Sequence, residues 1–183
     1  EAGQTLSDDW WPDFLAFVGQ HPKANVRGGI MAHSFSSLGI QNMLVNGRPF
    51  GETEIWTAVA GAFDTPVIFL SGDRAAADEL RAMVPQAELA VVKEGLGRYT
   101  CLSLSAPQAR DTIRAAAARA VQKIGQIRPY KIEGPATVQI EYTTRNSLSI
   151  DAGLAPGAEV LDDRTIRFRG KDFLEAWTRS RHR

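Results

Sequence analysis

An ordered alternation in the middle of the chain restricts its fold more than any other feature. Val67-Ile68-Phe69-Leu70 is a continuous apolar run that delivers Ser71-Gly72-Asp73 at its end. Such a run suits a strand covered on both faces, as strands of parallel sheets are. Arg74 to Met83 follows with the Ala and Leu content of a helix, and Pro85 stops it. Leu89-Ala90-Val91-Val92 is a second buried run, with a loop expected over Lys93 to Tyr99. Ser105-Ala106-Pro107-Gln108 then has the capping-box form that opens a helix, here expected to reach Ile124. Its Ala115-Ala116-Ala117-Ala118 run allows close approach to a sheet. Strand, helix, strand, helix in this order predicts an α/β fold of three layers, α/β/α, around a mostly parallel sheet.

The flanks extend this pattern and then change it. Phe14 to Val18 reads as a buried strand, and further strands are expected over Gly29 to Ala32 and Asn42 to Val45. Glu54 to Phe63 has helical spacing and ends at Asp64-Thr65-Pro66. Beyond residue 125 the signals differ. Thr137 to Tyr142 alternates with period two, and Val160-Leu161 and Thr165 to Phe168 flank Asp162-Asp163 as a hairpin would. Asp172 is placed to cap a last helix through Trp177. Gly125 to Pro135 is the linker candidate. The expected organisation is an α/β metal-site domain over 1–125 and a small α+β addition over 126–183 packed on it.

Bulk properties exclude several functions. The 183 residues carry 21 basic and 21 acidic side chains, a net charge of zero. A nucleic-acid partner normally demands a basic excess, so none is expected. Arg179, Arg181 and Arg183 cluster beside His182 and read as a solvated chain end. No apolar stretch approaches the ~20 residues of a membrane helix. No signal-peptide pattern is present, and the cytoplasm is the expected compartment. Cys101 is the sole cysteine, so an internal disulfide is impossible, and a buried, inert thiol is expected there.

Two of the chain's three histidines fall close together, each beside a glycine-containing turn. His21 ends Phe14-Leu15-Ala16-Phe17-Val18-Gly19-Gln20, and His33 lies in Gly28-Gly29-Ile30-Met31-Ala32-His33-Ser34. Glu52 closes Asn46-Gly47-Arg48-Pro49-Phe50-Gly51-Glu52. An imidazole at a strand end and a carboxylate after a turn have the form of part of a metal site. Each also has a plainer account. His21 could be a core histidine satisfied by backbone, Glu52 a carboxylate at a helix N-terminus, and His33 a solvent-facing loop residue. Asp73 reads as the cap of the helix starting at Arg74. Lys93 and Arg98 read either as ligands for a substrate carboxylate or as solvated loop charges. Spacing alone does not choose between these accounts.

Taken in order, the strings say more. Phe17-Val18-Gly19-Gln20-His21 followed by Met31-Ala32-His33-Ser34 resembles the D-aminopeptidase family of zinc metallopeptidases. The likeness continues through Asn46 to Glu52, Pro66 to Asp73, Val91 to Arg98 and the helix containing Ala109-Arg110. The segment from Val160 to Trp177 also looks like the end of such proteins. The resemblance implies that His21 and Glu52 are zinc ligands and that His33 acts beside the metals during catalysis. It implies two zincs per active site, short peptides as substrates and a homo-oligomer, a decamer in form. Trp10, Trp11 and Trp56 read either as subunit contacts or, as aromatics more often do, as core. It also implies an Asp-x-Glu motif and another histidine ligand upstream of the matched region. Neither is in this sequence, and Ser7-Asp8-Asp9 reads as a cap or turn rather than a substitute. The expectation is that those ligands precede Glu1. The rival is a catalytically silent oligomeric relative acting as a binding or scaffold protein. Pro22 after the ligand histidine and Arg74 after Ser-Gly-Asp also depart from the family pattern.

Overall fold

The computed structural model describes residues 12–145 and 157–181. Asp8, Asp9, Trp10, Trp11, His182 and Arg183 lie outside the described residues. In chain order the elements are β1 (Leu15–Gln20), β2 (Ile40–Val45), β3 (Arg48–Pro49), α1 (Glu52–Ala62), β4 (Val67–Asp73) and α2 (Arg74–Met83). There follow β5 (Glu88–Gly97), β6 (Thr100–Ser103), α3 (Ala106–Gln122), β7 (Ala136–Tyr142), β8 (Ala158–Val160), β9 (Thr165–Gly170) and α4 (Phe173–Arg181).

The first sheet has the order β1-β4-β5-β6, with β1, β4 and β5 parallel and β6 antiparallel to β5. All seven residues of β4 are buried, which requires cover on both faces, as its uninterrupted apolar run implies. Leu70, Leu80, Ala116 and Ala120 belong to one core, in which α2 and α3 close on this sheet. Gln108 Oε1 accepts from the Ser105 N–H at 3.3 Å and so starts α3 as its capping pattern predicts.

The second sheet is antiparallel, in the order β3-β2-β7-β9-β8. It draws on both sides of residue 125, because β2 pairs with β7. The alternation over Ala136–Tyr142 puts Ala136, Val138, Ile140 and Tyr142 inward, against α1 and α4. Helix α1 therefore serves two cores. Ile55 and Ala58 pack into the second, and Ala60 into the first. The segment expected to be a linker is pinned to this helix. A Cβ on Gly61 would lie 1.7 Å from the Tyr130 carbonyl oxygen, so only glycine permits that approach.

Several expectations need correction. The first strand is not a buried one: β1 lies at the edge of its sheet, and of Leu15–Gln20 only Phe17 is buried while Val18 is exposed. No strand forms over 29–32, where the chain turns instead, with Gly28 at φ 80° and Met31 at φ 51°. An extended run cannot pass through such backbone, and the Met31 N–H goes to the Arg98 carbonyl at 2.7 Å rather than to a sheet. Residues 93–99 are not a simple loop. Strand β5 runs on to Gly97 and folds back as β6, so their polarity marks exposure rather than the end of the strand. Cys101 is half-buried in β6 rather than enclosed.

Candidate metal centre

The parallel strand β1 ends at Gln20, and His21 is the next residue. Helix α1 begins at Glu52, two residues earlier than its hydrophobic spacing suggests, which sets this carboxylate in the first turn where the helix dipole favours negative charge. Between them the chain loops through His33. The three side chains that sequence singles out converge. One ligand atom from each of His21, His33 and Glu52 lies within 4.8 Å of the others. The Nε2 atoms of His21 and His33 stand 3.8 Å and 3.9 Å from the same Glu52 Oε1. The two rings stack, with centroids 3.9 Å apart and planes 18° from parallel.

Hydrogen bonds fix the chemistry of this cluster. His21 Nδ1 lies 3.0 Å from the Pro22 carbonyl, and His33 Nδ1 lies 2.6 Å from the Met31 carbonyl. A carbonyl only accepts, so both bonds place a proton on Nδ1, and in the neutral ring each Nε2 keeps a lone pair. Glu52 Oε1 accepts from the Phe35 N–H at 2.6 Å, while its buried Oε2 has no hydrogen-bond partner among the described residues. With both rings neutral, two nitrogen lone pairs and a carboxylate face one another, and the donor to Glu52 Oε1 is the Phe35 N–H. Such a set repels itself unless a cation or proton sits among its members, and an orphaned buried oxygen costs about 1–3 kcal/mol. Imidazole nitrogen and carboxylate oxygen are zinc's preferred donors beside thiolate, and carbonyl-anchored rings are the usual outer support of metal-ligating histidines. The residues present fit a divalent transition metal.

Several residues that hold this geometry carry little sequence signal. The Pro22 carbonyl also accepts from the His33 N–H at 3.2 Å, so one carbonyl serves both histidines. The buried Ser34 hydroxyl accepts from the Ala24 N–H at 3.1 Å and donates to the Phe50 carbonyl at 3.4 Å. Half-buried Lys23 forms an ionic cluster with Glu54 and Glu79, and Lys23 and Glu54 each lie two residues beyond a member of the site. Lys23 Nζ is 2.6 Å from Glu54 Oε1 and 3.0 Å from Glu79 Oε1. Burial works to lower the lysine pKa, but Glu54 and then Glu79 outweigh it and hold it above its usual value. Burial and the Glu54 charge push the Glu79 carboxyl up to about 7, against the opposing pull of Lys23. The two directions agree once the charges are counted, since one ammonium serves two carboxylates and Glu54 holds it more tightly.

Asp73 caps α2, its Oδ1 accepting from the Ala75 N–H at 2.7 Å, while Oδ2 accepts from the Gly95 N–H at 3.0 Å. Lys93 is exposed on β5. Arg98 is exposed too, yet it reaches the site loop, donating from Nη1 to the Ala32 carbonyl at 3.3 Å beside His33. No helix among the described residues is long and apolar enough to cross a membrane.

Fold and donor set together define an α/β protein with a His/Glu cluster able to hold a metal at the carboxyl end of a parallel strand. A family model for D-aminopeptidase matches residues 6–181, and the chain belongs to that family. It is 32% identical over 162 residues to the D-aminopeptidase of Bacillus subtilis (strain 168), covering 88% of this chain and 58% of that protein. Among solved structures it is similar to the Zn-dependent D-aminopeptidase DppA from Bacillus subtilis, described as a self-compartmentalizing protease. The TM-score is 0.82 at 30% identity, over 95% of this chain and 62% of the other. The chain therefore spans less than two thirds of the length of either relative.

Proposed function

We propose that the protein removes the N-terminal residue, a D-amino acid, from short peptides at a two-zinc centre. His21 and Glu52 are the zinc ligands this chain supplies, and His33 is the proton carrier. One observation supports the reading above the rest: one ligand atom from each of His21, His33 and Glu52 lies within 4.8 Å of the others, and Glu52 Oε2 is buried with no hydrogen-bond partner among the described residues. Bound zinc would polarise the scissile carbonyl and bring a water's pKa near neutrality. The bond from His33 Nδ1 to the Met31 carbonyl leaves Nε2 free to take a proton from the attacking water and return it to the departing amine. Stacking on His21 fixes the plane in which His33 does so.

The equal approach of both Nε2 atoms to Glu52 Oε1 favours a second assignment, with His33 as a third ligand. Catalytic zinc sites commonly hold three protein ligands and one open position. His33→Ala separates the two. Unchanged zinc with activity reduced about 10²–10⁴-fold identifies the proton carrier, and parallel loss of zinc identifies the ligand. We carry over from the relative's self-compartmentalizing character a homo-oligomer, with the decamer as its form, and sedimentation velocity tests it.

The deciding experiment combines elemental analysis with assays on D- and L-aminoacyl p-nitroanilides and D-Ala-containing dipeptides. Zinc at or above one per subunit and chelator-sensitive cleavage of D-aminoacyl substrates are expected. Less than one zinc per subunit, or activity that survives chelation, overturns the proposal in favour of a silent binding protein or different chemistry.

A further inference from the structure

We propose that Lys23 is a positioning residue for the metal cluster, a clamp that sets the distance between His21 and Glu52 by tying the loop of one to the helix of the other. The inference rests on the metal-site reading above. Lys23 follows His21 by two residues, and Glu54 follows Glu52 by two, so each partner of the clamp is rigidly linked to a donor. The ammonium bridges Glu54 Oε1 at 2.6 Å and Glu79 Oε1 at 3.0 Å. The Lys23 backbone N–H also donates to Glu79, at 3.1 Å to Oε1 and 3.3 Å to Oε2. Glu79 stands on α2, whose Ala76, Ala77 and Leu80 are buried, so it is a post fixed in the core. Glu54 returns to the turn before α1, accepting from the Gly51 N–H at 2.9 Å through its Oε2. One side chain thereby joins the strand-end loop, the first turn of α1 and the body of α2.

Backbone contact confirms how close the two loops are drawn. A Cβ on Gly51 would lie 2.5 Å from Lys23 Cβ and 2.9 Å from Lys23 Cα. Glycine is what lets the turn before Glu52 touch the loop after His21. A buried ion pair is weak grounds for claiming added stability, because desolvation offsets its attraction. Its directional bonds still define a geometry, and a metal site feels errors of a fraction of an ångström.

Cobalt(II) and zinc(II) binding to the metal-stripped protein test this, using competition with a chromophoric chelator and the visible d–d spectrum of bound cobalt. Lys23→Met is expected to weaken binding about 10–100-fold, the usual effect of losing outer-shell support, and to alter the cobalt spectrum. Lys23→Arg is expected to restore both. Because Lys23→Met leaves two buried carboxylates without a cation, the neutral triple variant K23M/E54Q/E79Q serves as the folded comparison. It is expected to show the same weakened affinity and altered spectrum at a wild-type near-ultraviolet dichroism signal. Wild-type affinity and spectrum in that folded variant overturn the clamp. So does an affinity loss fully accounted for by its unfolded fraction. Failure of the wild type to bind either ion overturns the metal-site reading itself, a distinct result.

Discussion

Strand β4 and the loop carrying the histidines meet at the same end of the first sheet, yet they are built on opposite principles. β4 has every residue buried and is held by apolar contact with neighbouring strands and helices. Many apolar sequences would fill it, since burial is non-directional and scales with area. The loop from His21 to Phe35 has almost no core of its own. It is fixed by directional bonds across the sequence: Phe35 to Glu52, Ser34 to Ala24 and Phe50, Lys23 to Glu54 and Glu79. Substitutions in the strand should therefore cost stability while sparing the geometry of whatever remains folded. Substitutions behind the loop should cost geometry first. Helix α1 is the joint between the two, with Ile55 and Ala58 in one core, Ala60 in the other and Glu52 at its tip.

The largest stability effect should come from the strand. Leu70 is fully buried, and Leu70→Ala removes its side chain from a close-packed interior. A loss of about 2–5 kcal/mol is expected, read as a shift of the urea midpoint at unchanged m-value. Zinc per folded molecule should not change. A loss below about 1 kcal/mol would mean that β4 is not the centre of this core.

Gly61→Ala probes the joint. The substitution gains helix propensity of up to about 1 kcal/mol, but its Cβ would collide with the Tyr130 carbonyl at 1.7 Å. Either α1 or the 125–135 segment must shift, at a net cost of about 1–3 kcal/mol. Denaturant unfolding measures it, and neutral or raised stability would show that this segment is not locked onto α1. If α1 is what shifts, metal affinity should fall as well, because Glu52 rides on the same helix.

The two regions also differ in how far they can be read from sequence. The β4–α2–β5–α3 succession is legible because each element announces itself locally, through an apolar run, an alanine-rich window or a capping pattern. Period-two alternation identifies β7 in the same way, and Asp73 and Gln108 occupy the capping positions their spacing implies. At Gly29 to Ala32 the local signal misleads. The composition suits a strand, but positive φ at Gly28 and Met31 and a bond to Arg98 are set by the distant β5–β6 hairpin. Residue identity marked His21, His33 and Glu52, and ordered family-like strings gave them a reason to meet. Their shared focus on one carboxylate oxygen depends on contacts 12 to 31 residues apart, including 31 between Lys23 and Glu54 and 17 between Phe35 and Glu52, and no local pattern encodes those. Lys23 and Glu79 in sequence resemble any other surface charges, and only folding buries them together.

The smallest effect expected is a slope, and it belongs to the polar side of the contrast. Glu79 rises from an ordinary 4.5 to about 7, through burial first and the Glu54 charge second. Its folded-state pKa exceeds its unfolded one, so the folded protein binds this proton more tightly. The resulting contribution to stability is fully present below pH 4.5 and is lost as pH rises through about 7. Lys23 is also raised, above 10.5, so its contribution stays present throughout this window and fades only at more alkaline pH. In metal-stripped protein, the stability of wild type relative to Glu79→Gln should fall between pH 4.5 and about 7, then level off. The steepest slope should be on the order of 1 kcal/mol per pH unit. Urea unfolding at half-unit pH steps would show it. A difference that is flat, or that grows with pH, would mean that Lys23 compensates Glu79 fully, leaving the cluster without the surplus carboxylate inferred from its distances. Leu70→Ala run through the same series should displace the curve without bending it, because removing apolar contact changes no proton count.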